Sequence, residues 1–569
     1  MTAMLTVTPT VNSIPIRHGD FPTATDALAY AAQGEAGFNF FNAAGQLTAV
    51  LDYRRLWRES MRAGLYLKQQ GFARYDRVAL IAETTPDFPI LFFACQYAGL
   101  IPCPMAFSLN PGGMAAYAEK LSLWLDNADA KAVMCSKNVA DALGQHIAKP
   151  LLVSERMLAE ATLLHQPEAS ELSPLGAGDP AYVQFSSGST SRPKGVLLSQ
   201  RHLEANIHAV LRYGMQLRPE DRSFNWLPFH HNMGLVGFML ASVYGQRSVD
   251  CLSAEHFVQN PLVWLELMSK HRTAITFSPA FGYQLAMKKY AESESKPSLD
   301  LSSLRVAGIG GDAISAEVLS TFSASFAPSG FKTQAFLPCY GLTETTLAVT
   351  ASDLDAPTAI DSPDDDRSKT LVSCGRALPG FEIKITDAEG GKRLPERQVG
   401  QIWVKGPSVV TSYIDDRERI TFDGEGFMYT GDLGYLSQRL LYISGREKDV
   451  IIVRGRNVWA QDVEWAVLQA QPNIGAGNAA AIGLHDGLQE RLATLVCVSP
   501  EVAQDKAALR RIALAIKKAL AQATGVTAEV IFIADRLPLT ASGKLARAQA
   551  KEAYLANQFM IIHYDEETL

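Results

Sequence analysis

The chain has 569 residues, of which 47% are hydrophobic and 20% are charged, and its formal net charge is −7. This composition indicates a globular protein of several folding units, leaves little room for extensive disorder, and argues against a protein that coats nucleic acid. The seven cysteines are scattered without metal-like spacing, which favours reduced thiols in a cytoplasmic protein.

The N-terminal part of the chain alternates between strand-like and helix-like runs. The first twenty residues contain no sustained apolar core, so we expect no signal peptide. The most hydrophobic segment, residues 88–107, is interrupted by Gly99 and two prolines and predicts a buried helix followed by a strand rather than a membrane span. With a strand over 77–82 it forms a βαβ unit, and a similar alternation recurs over 305–337. Such alternation indicates open sheets covered by helices.

The texture changes after residue 381 to short strands and turns, and after residue 445 to a compact α+β unit with an amphipathic helix over 505–523. The acidic segment 353–369 carries six aspartates and is expected to be a solvated loop. We therefore predict a multidomain α/β and α+β protein with domains of residues 1–445 and 446–569.

The segment Ser186–Gly195, SSGSTSRPKG, has phosphate-binding chemistry without either standard spacing, since it matches neither a Walker A loop nor a Rossmann fingerprint. Gly188 allows the backbone to approach an anion closely, the hydroxyl groups offer donors, and Lys194 adds a positive charge. The segment follows the strand-like run 181–185 and leads into another strand, with a helix starting near Gln200. These residues predict a phosphate-binding loop, and a Ser/Gly-rich hairpin turn is the alternative.

Three later motifs each have an ordinary structural alternative when taken alone. In the motif Tyr340–Glu344, Glu344 could simply be an exposed loop residue. In the motif Tyr429–Asp432, Asp432 could belong to a common turn. Lys544, at the end of Leu537–Lys544, has the alternative of a solvated surface charge.

In this order and at these distances the motifs resemble those of the adenylate-forming (ANL) ligases, which include acyl-CoA synthetases, fatty acyl-AMP ligases and peptide-synthetase adenylation domains. The resemblance extends from about residue 20 to residue 560. It implies a large N-terminal domain of helix-covered sheets plus a β subdomain, and a small mobile C-terminal domain. It also implies the conversion of a carboxylic acid and ATP into acyl-AMP and pyrophosphate, with Mg²⁺ as cofactor.

The resemblance assigns roles residue by residue. Tyr340 stacks on adenine, Glu344 holds Mg²⁺, Asp432 accepts the ribose hydroxyls, and Lys448 is the hinge residue. Lys544 is the catalytic lysine that stabilises charge on the phosphates during adenylation. The residues implied in ATP binding are Ser186, Ser187, Gly188, Ser189, Thr190, Lys194, Gly311, Asp312, Tyr340, Gly341, Thr343, Asp432 and Arg446.

The segment 226–235, WLPFHHNMGL, carries the prediction for the acyl side. No Cys, His or carboxylate lies nearby at ligand spacing, so zinc is not expected at the two histidines. The segment resembles the histidine gate of fatty acyl-AMP ligases, with Asn232 where an aspartate is usual. This implies that His231 faces the reacting carboxylate and that His230 contacts the acyl group. Phe277 and Met239 are further acyl-binding candidates, with plain sheet core as the equal alternative.

Ser191 stands where CoA ligases generally have glycine, which favours a fatty acyl-AMP ligase. The resemblance then implies transfer to an acyl carrier protein of the polyketide or nonribosomal peptide synthase type. The interval Thr345–Cys374 has 30 residues, shorter than the insertion usual in that subgroup and longer than in a plain CoA ligase. An acyl-CoA synthetase with the same first step therefore remains the alternative. No nucleic acid partner and no membrane span are expected, and cytoplasm is the expected location.

Overall fold

The computed structural model describes residues 5–107, 113–144, 146–186, 194–364, 370–415, 419–453, 456–475, 477–485, 490–539 and 545–563. These residues divide into two compact units. The first contains the described residues up to Ile443 except Gly431–Leu433, and the second contains Gly431–Leu433 and those from Ser444 onward.

The described part of the chain contains helices in both units. The helices of the first unit are α1 (Ala24–Ala31), α2 (Tyr53–Gln69), α3 (Asp87–Ala98), α4 (Gly113–Asn127), α5 (Lys137–Leu143), α6 (Ser154–Thr162), α7 (Gln200–Ala209), α8 (Asn232–Gly234), α9 (Ala241–Tyr244), α10 (Ala254–Gln259), α11 (Leu262–His271), α12 (Ala280–Glu292) and α13 (Ala316–Phe326). Those of the second unit are α14 (Ala460–Ala470), α15 (Pro500–Gln504), α16 (Lys506–Thr524) and α17 (Arg547–Leu555).

The strands follow in chain order. They are β1 (Gly37–Phe41), β2 (Leu47–Asp52), β3 (Arg77–Ile81), β4 (Ile101–Met105), β5 (Ala130–Cys135), β6 (Leu151–Val153), β7 (Pro180–Ser186), β8 (Lys194–Ser199), β9 (Ser223–Asn225), β10 (Val249–Leu252), β11 (Ile275–Ser278), β12 (Val306–Ile309), β13 (Phe336–Tyr340), β14 (Thr350–Ala351), β15 (Ile360–Asp361), β16 (Leu371–Val372), β17 (Arg376–Ala377), β18 (Glu382–Thr386), β19 (Gly400–Lys405), β20 (Met428–Ser437), β21 (Leu440–Arg446), β22 (Val450–Val453), β23 (Arg456–Trp459), β24 (Ala479–His485), β25 (Glu490–Cys497), β26 (Glu529–Ile533) and β27 (Ile561–Ile562).

A nine-stranded sheet organises the first unit, in the order β17-β14-β13-β12-β11-β9-β10-β1-β2. The six strands from β13 to β1 are parallel, and antiparallel strands lie at the edges. Short, fully buried strands such as β9 and β12 are typical of a parallel sheet covered on both faces. The predicted alternation over 305–337 is confirmed as β12, α13 and β13.

The hydrophobic segment 88–107 forms the buried helix α3 and the strand β4. Together with β3 it gives the predicted βαβ unit, in a separate parallel sheet of order β4-β3-β5-β6. α3 is apolar on all sides because it lies inside the unit rather than on its surface. No helix among the described residues is both long enough and apolar enough to cross a membrane.

The strands β7 and β8 form a two-stranded antiparallel ladder in which Ser186 pairs with Lys194. Residues 187–193, which lie outside the described residues, connect these two strands. α7 begins at Gln200, as predicted, and Ser199 caps its N-terminus by accepting a hydrogen bond from His202 N.

The acidic segment 353–369 differs from the solvated loop predicted for it. Within its described part, β15 pairs with β16 in a short antiparallel ladder. Arg397 forms ion pairs with Asp361 at 2.6 Å and with Asp364 at 3.0 Å. The aspartates thus serve partly to anchor the segment through an arginine about 35 residues further along the chain, which composition alone does not reveal.

A buried charge network joins several elements of the large sheet. Asp250 on β10 accepts hydrogen bonds from Arg222 Nε at 2.9 Å and from Asn39 Nδ2 at 2.9 Å, and His271 Nδ1 lies 2.8 Å from its Oδ2. Burial opposes ionisation of Asp250, but the hydrogen bonds from His271 and Arg222 hold the pKa of its carboxyl below the usual value. The ionised carboxylate therefore ties β1, β10 and the end of α11 to the residue that precedes β9.

We expect Asp250→Ala to reduce the free energy of unfolding by about 3–5 kcal/mol, because it leaves the Arg222 guanidinium buried without its counter-charge. The free energy of the first unfolding transition in urea measures this loss. Asp300→Ala is the matched control, since Asp300 is exposed and pairs with Arg272 at 3.7 Å, and a much smaller loss is expected for it because exposed ion pairs contribute little. Equal losses in the two variants would contradict the prediction.

Candidate active site

The carboxyl ends of four neighbouring parallel strands bring most of the predicted first-unit residues to one edge of the large sheet. The strands β13, β12, β11 and β9 are adjacent and run in the same direction. In open α/β sheets, ligands bind outside the carboxyl ends of the strands. The predicted residues that end these strands or follow them directly are His230, His231, Phe277, Gly311, Asp312, Tyr340, Gly341, Thr343 and Glu344.

The loop after β13 turns sharply back on itself. Tyr340 ends the strand and pairs with Thr350 of the antiparallel edge strand β14. A Cβ atom added to Gly341 would lie 1.8 Å from Leu347 O, so only glycine fits where the returning backbone crosses. Thr343–Thr345 form a single 3₁₀ turn, and Glu344 is half-buried within it.

Asn206 on α7 anchors this loop from outside the motif. The Asn206 side chain is fully buried, and its Nδ2 donates to Thr345 O at 3.1 Å, Ala348 O at 2.9 Å and Ser408 Oγ at 2.9 Å. Its Oδ1 accepts from Ala348 N at 3.2 Å. Ser408 Oγ in turn donates to Thr345 O at 2.8 Å. The loop that carries Glu344 therefore takes its hydrogen bonds from two distant parts of the chain.

The Glu344 side chain is held by Tyr413, which connects it to Lys194. The Tyr413 hydroxyl donates to Glu344 Oε1 at 2.8 Å. Lys194 Nζ lies 5.2 Å from the centroid of the Tyr413 ring, within cation–π range. The structure thus brings together the predicted phosphate-binding lysine and the predicted metal carboxylate, one on each side of a tyrosine.

Gly311 and Asp312, which are predicted to bind ATP, follow β12. Gly308 leaves no room for a Cβ atom, which would lie 2.1 Å from the ring of Phe277 on β11. The Tyr283 hydroxyl donates to Gly308 O at 2.9 Å. Burial raises the pKa of the neighbouring Cys339 thiol to about 12, so this cysteine remains a neutral thiol at physiological pH.

The histidine segment lies beside the strand that leads into the phosphate loop. Gln184 on β7 is buried and donates from Nε2 to His230 O at 2.7 Å. The His231 carbonyl accepts from Leu235 N at 2.8 Å, and α8 and a π-helical turn over Leu235–Leu240 follow. π-helical turns occur frequently at functional sites. Of the two acyl candidates, Met239 is fully buried, whereas Phe277 is partly exposed and packs edge-on against Phe238.

In the second unit, Asp432 and Arg446 form an ion pair, with Arg446 Nε 3.2 Å from Asp432 Oδ1. The Asp432 side chain is buried, while about half of the Arg446 side chain is exposed. Lys448 lies in the exposed turn Glu447–Asp449 that follows β21.

Five of the predicted residues lie outside the described part of the chain, namely Ser187, Gly188, Ser189, Thr190 and Lys544. The segment that contains Lys544 is flanked by a bridge between Leu539 and Leu545 and by a hydrogen bond from Ala546 N to Pro538 O. Arg547 then binds Glu464 through Nε and Nη2, each at 2.7 Å, and Asp449 through Nη1 at 2.8 Å.

Sequence reasoning missed Asn206, Ser408, Tyr413 and Arg547. None of the first three lies in a motif of charged or glycine-rich residues, and each reaches Glu344 or its loop only through the fold. Of these residues, Asn206 near the end of α7 was the easiest to find from the sequence. An amide in a mostly apolar helix face requires hydrogen-bond partners when it is buried.

The family model of the AMP-binding enzymes matches residues 35–414. The chain belongs to the AMP-binding enzyme family. A putative acyl-CoA synthetase of Caulobacter vibrioides is 38% identical over 98% of this chain and 100% of its own length. The medium-chain-fatty-acid–[acyl-carrier-protein] ligase JamA of Moorena producens is 28% identical over 94% of this chain and 95% of its own.

A solved structure from a study of fatty acyl-adenylate ligases of E. coli and L. pneumophila superposes with a TM-score of 0.86 at 37% identity, covering 96% of this chain and 100% of that one. The predicted ANL fold and the resemblance to fatty acyl-AMP ligases are therefore confirmed, and the chain is an enzyme of this type. AMP-binding enzymes use ATP, which confirms the nucleotide part of the cofactor prediction.

We expect Asn206→Asp to destabilise the first unit by about 3 kcal/mol, because it replaces three buried N–H···O contacts by a carboxylate that faces carbonyl oxygens. The expected observation is a lower melting temperature together with slower pyrophosphate release, since the Glu344 loop loses its anchor. Asn42→Asp is the control in an exposed turn, and it should leave both unchanged. If Asn206→Asp were as stable and as active as Asn42→Asp, this would contradict the role of Asn206 as the anchor of the Glu344 loop.

Proposed function

We propose that this enzyme activates a fatty acid, or another hydrophobic carboxylic acid, with ATP and then transfers the acyl group to the phosphopantetheine thiol of an acyl carrier protein. The observation that carries the proposal is the grouping of Lys194, Tyr413 and Glu344 beside the loops at the carboxyl edge of the sheet. An ammonium next to a metal-binding carboxylate suits the outer phosphates of ATP. The family membership and the carrier-protein ligase among the relatives support it.

The residues implied in ATP binding keep their roles in this proposal. The loop of Ser186, Ser187, Gly188, Ser189 and Thr190 holds the phosphates by backbone and hydroxyl donors, and Lys194 adds charge. Tyr340 stacks on adenine, with Gly311 and Asp312 on the other wall and Gly341 and Thr343 beside them. In the second unit Asp432 accepts the ribose hydroxyls, and Arg446, which already pairs with it, orients that carboxylate.

Glu344 fits a magnesium ligand. Its Oε1 accepts from Tyr413, so Oε2 is the carboxylate oxygen left for a cation. The described residues contain no group of three or more His, Cys, Asp or Glu side chains that could hold a metal ion, and Mg²⁺ in nucleotide sites is usually held by one or two carboxylates plus substrate phosphates. When bound there, the ion supplies positive charge that neutralises the triphosphate oxygens.

In the first half-reaction, a carboxylate oxygen of the fatty acid attacks the α-phosphorus of ATP. A bond forms between that oxygen and phosphorus, and the bond to the pyrophosphate oxygen breaks. Lys544 donates to the oxygens on which negative charge increases, and His231 faces the carboxylate and the α-phosphate. We assign Lys448 as the hinge residue between half-reactions, with the domain boundary between residues 445 and 446.

The acyl chain lies along Phe277 and His230 in this proposal, and Met239 contributes from the fully buried layer behind them. The partly exposed Phe277 ring is the better placed of the two apolar candidates to touch a substrate. A cytoplasmic location and a role in secondary metabolite biosynthesis fit a partner of the polyketide or nonribosomal peptide synthase type.

An acyl-CoA synthetase is the second candidate function. The observation that favours it is the name of the Caulobacter relative, which matches the full chain at 38% identity. Both functions share the acyl-adenylate intermediate and differ only in the thiol that accepts the acyl group.

We expect Lys544→Ala to slow acyl-AMP formation at least a hundredfold, on the order of 3 kcal/mol of transition-state stabilisation, because a positioned cation is removed from the developing charge. Pyrophosphate release with fatty acid and ATP measures the rate. Lys518→Ala removes an exposed lysine of α16 in the same unit and should retain full activity. Near-normal pyrophosphate release from Lys544→Ala would contradict the assignment of Lys544 as the catalytic lysine.

The acceptor prediction is tested by incubating the enzyme with ATP and fatty acids of several lengths, together with either CoA or a holo carrier protein. Mass spectrometry should find that acyl-AMP accumulates in the presence of CoA. When the holo carrier protein is supplied, the acyl group should appear as a thioester on that carrier. Acyl-CoA as the main product would establish the second candidate instead. Absence of pyrophosphate with every acid would contradict both.

A further inference from the structure

Tyr413 is a residue of the active-site region to which neither the motifs nor the family relationship gives a role. Its hydroxyl donates to Glu344 Oε1 at 2.8 Å, and its ring lies 5.2 Å from Lys194 Nζ. All three residues belong to the first unit. The hydroxyl occupies one oxygen of the carboxylate, and a hydrogen bond to an ionised group is among the stronger ones in proteins.

The chain around Tyr413, which we call segment 408–414, binds both sides of the site through its backbone. Val410 N donates to Glu344 O at 2.9 Å, and Ile414 N donates to Gly195 O at 2.9 Å. Tyr413 also pairs with Val196 in an isolated antiparallel bridge. Segment 408–414 therefore spans from the Glu344 loop to the start of β8, where Lys194 lies.

The other end of the segment is fixed to the same loop. Ser408 Oγ donates to Thr345 O at 2.8 Å, and the Thr346 hydroxyl donates to Ser408 O at 3.1 Å. Ser408, Thr345 and Thr346 are fully buried. Because the backbone of the segment is held at both ends, the Tyr413 ring has a defined position between the two charged groups.

We propose that Tyr413 is the positioning residue that orients the Glu344 carboxylate toward the metal of the ATP complex and sets its separation from Lys194. This rests on the proposed metal role of Glu344. With Oε1 held by the phenol, rotation of the carboxylate is restricted and Oε2 is directed to the cation. The ring face attracts the Lys194 ammonium, which keeps that charge near the phosphates without a direct ion pair to Glu344.

The two functions of Tyr413 reside in different atoms, so two substitutions separate them. Tyr413→Phe removes the hydroxyl and keeps the ring, whereas Tyr413→Leu removes both. The first should affect only the metal-dependent part of ATP binding. The second should also weaken ATP binding without metal, because Lys194 loses its contact with the ring.

The structure offers a closely matched control. The Tyr66 hydroxyl donates to Glu160 Oε2 at 2.8 Å, also in the first unit but between α2 and α6. Tyr66→Phe therefore removes the same kind of hydrogen bond, at the same distance, away from the candidate site. A general loss of stability on removal of a tyrosine–glutamate contact should be seen in both variants.

The experiment is calorimetric titration of the full-length enzyme with a non-hydrolysable ATP analogue, with and without Mg²⁺. In the wild type and in Tyr66→Phe, Mg²⁺ should strengthen binding. In Tyr413→Phe that strengthening should fall by on the order of tenfold, the value of a lost hydrogen bond to a charged group, while affinity without Mg²⁺ is unchanged. In steady state the KM for the ATP–Mg²⁺ complex should rise and the KM for the fatty acid should stay the same.

An equal Mg²⁺ effect in Tyr413→Phe and Tyr66→Phe would overturn the proposal. So would an equal loss of affinity with and without Mg²⁺, which is the signature of general damage. Failure of the proposed function is distinguishable, because it is shown by a wild-type enzyme that binds the analogue in a Mg²⁺-dependent way yet releases no pyrophosphate with any carboxylic acid.

Discussion

The hydrogen bonds that Asn206 makes with the loop after β13 are the contacts on which the rest of the first unit's site depends. The Thr345 carbonyl accepts from Asn206 Nδ2, Ser408 Oγ and Leu347 N, and the Ala348 carbonyl accepts from Asn206 Nδ2. Buried backbone groups without partners cost free energy comparable to a lost hydrogen bond each. One amide side chain satisfies both carbonyls and binds Ser408 as well. These hydrogen bonds fix the backbone position of Glu344, because they hold the residues that follow it in the loop.

The order of strands in the large sheet explains why this loop meets the others. β13, β12, β11 and β9 are neighbours although β10 lies between β9 and β11 in sequence. Their carboxyl ends place the loops that carry Gly311, Tyr340 and Glu344, together with the histidine segment, along one edge. The β7–β8 hairpin forms a different sheet and reaches the same region through two contacts: Gln184 with the His230 carbonyl, and Gly195 with Ile414.

Local sequence patterns predicted which helices and strands form better than they predicted which side chains contact each other across the fold. α16 was predicted to within one residue at each end, because its amphipathic periodicity stops before Gly525. α3 and α13 were predicted as the helical parts of alternating segments. The motif residues Lys194, Tyr340 and Glu344 were predicted from residue type and order. Tyr413 and Asn206 were not, because their partners lie 69 and 139 residues away in sequence, and no short-range pattern encodes such a contact. The strand β15 within segment 353–369 was not predicted for the same reason, since Arg397 binds Asp361 and Asp364 from outside the segment.

A charged side chain of the second unit also joins distant parts of the chain. Arg547 follows the Lys544 segment by three residues and binds both Glu464 on α14 and Asp449, which directly follows the proposed hinge residue Lys448. A bidentate guanidinium–carboxylate pair fixes orientation as well as distance. These pairs therefore hold the start of α17 to α14 and to the turn Glu447–Asp449. This anchoring of Arg547 fits the role proposed for Lys544, because an electrostatic catalyst that must be ordered during the reaction loses part of the stabilisation it provides.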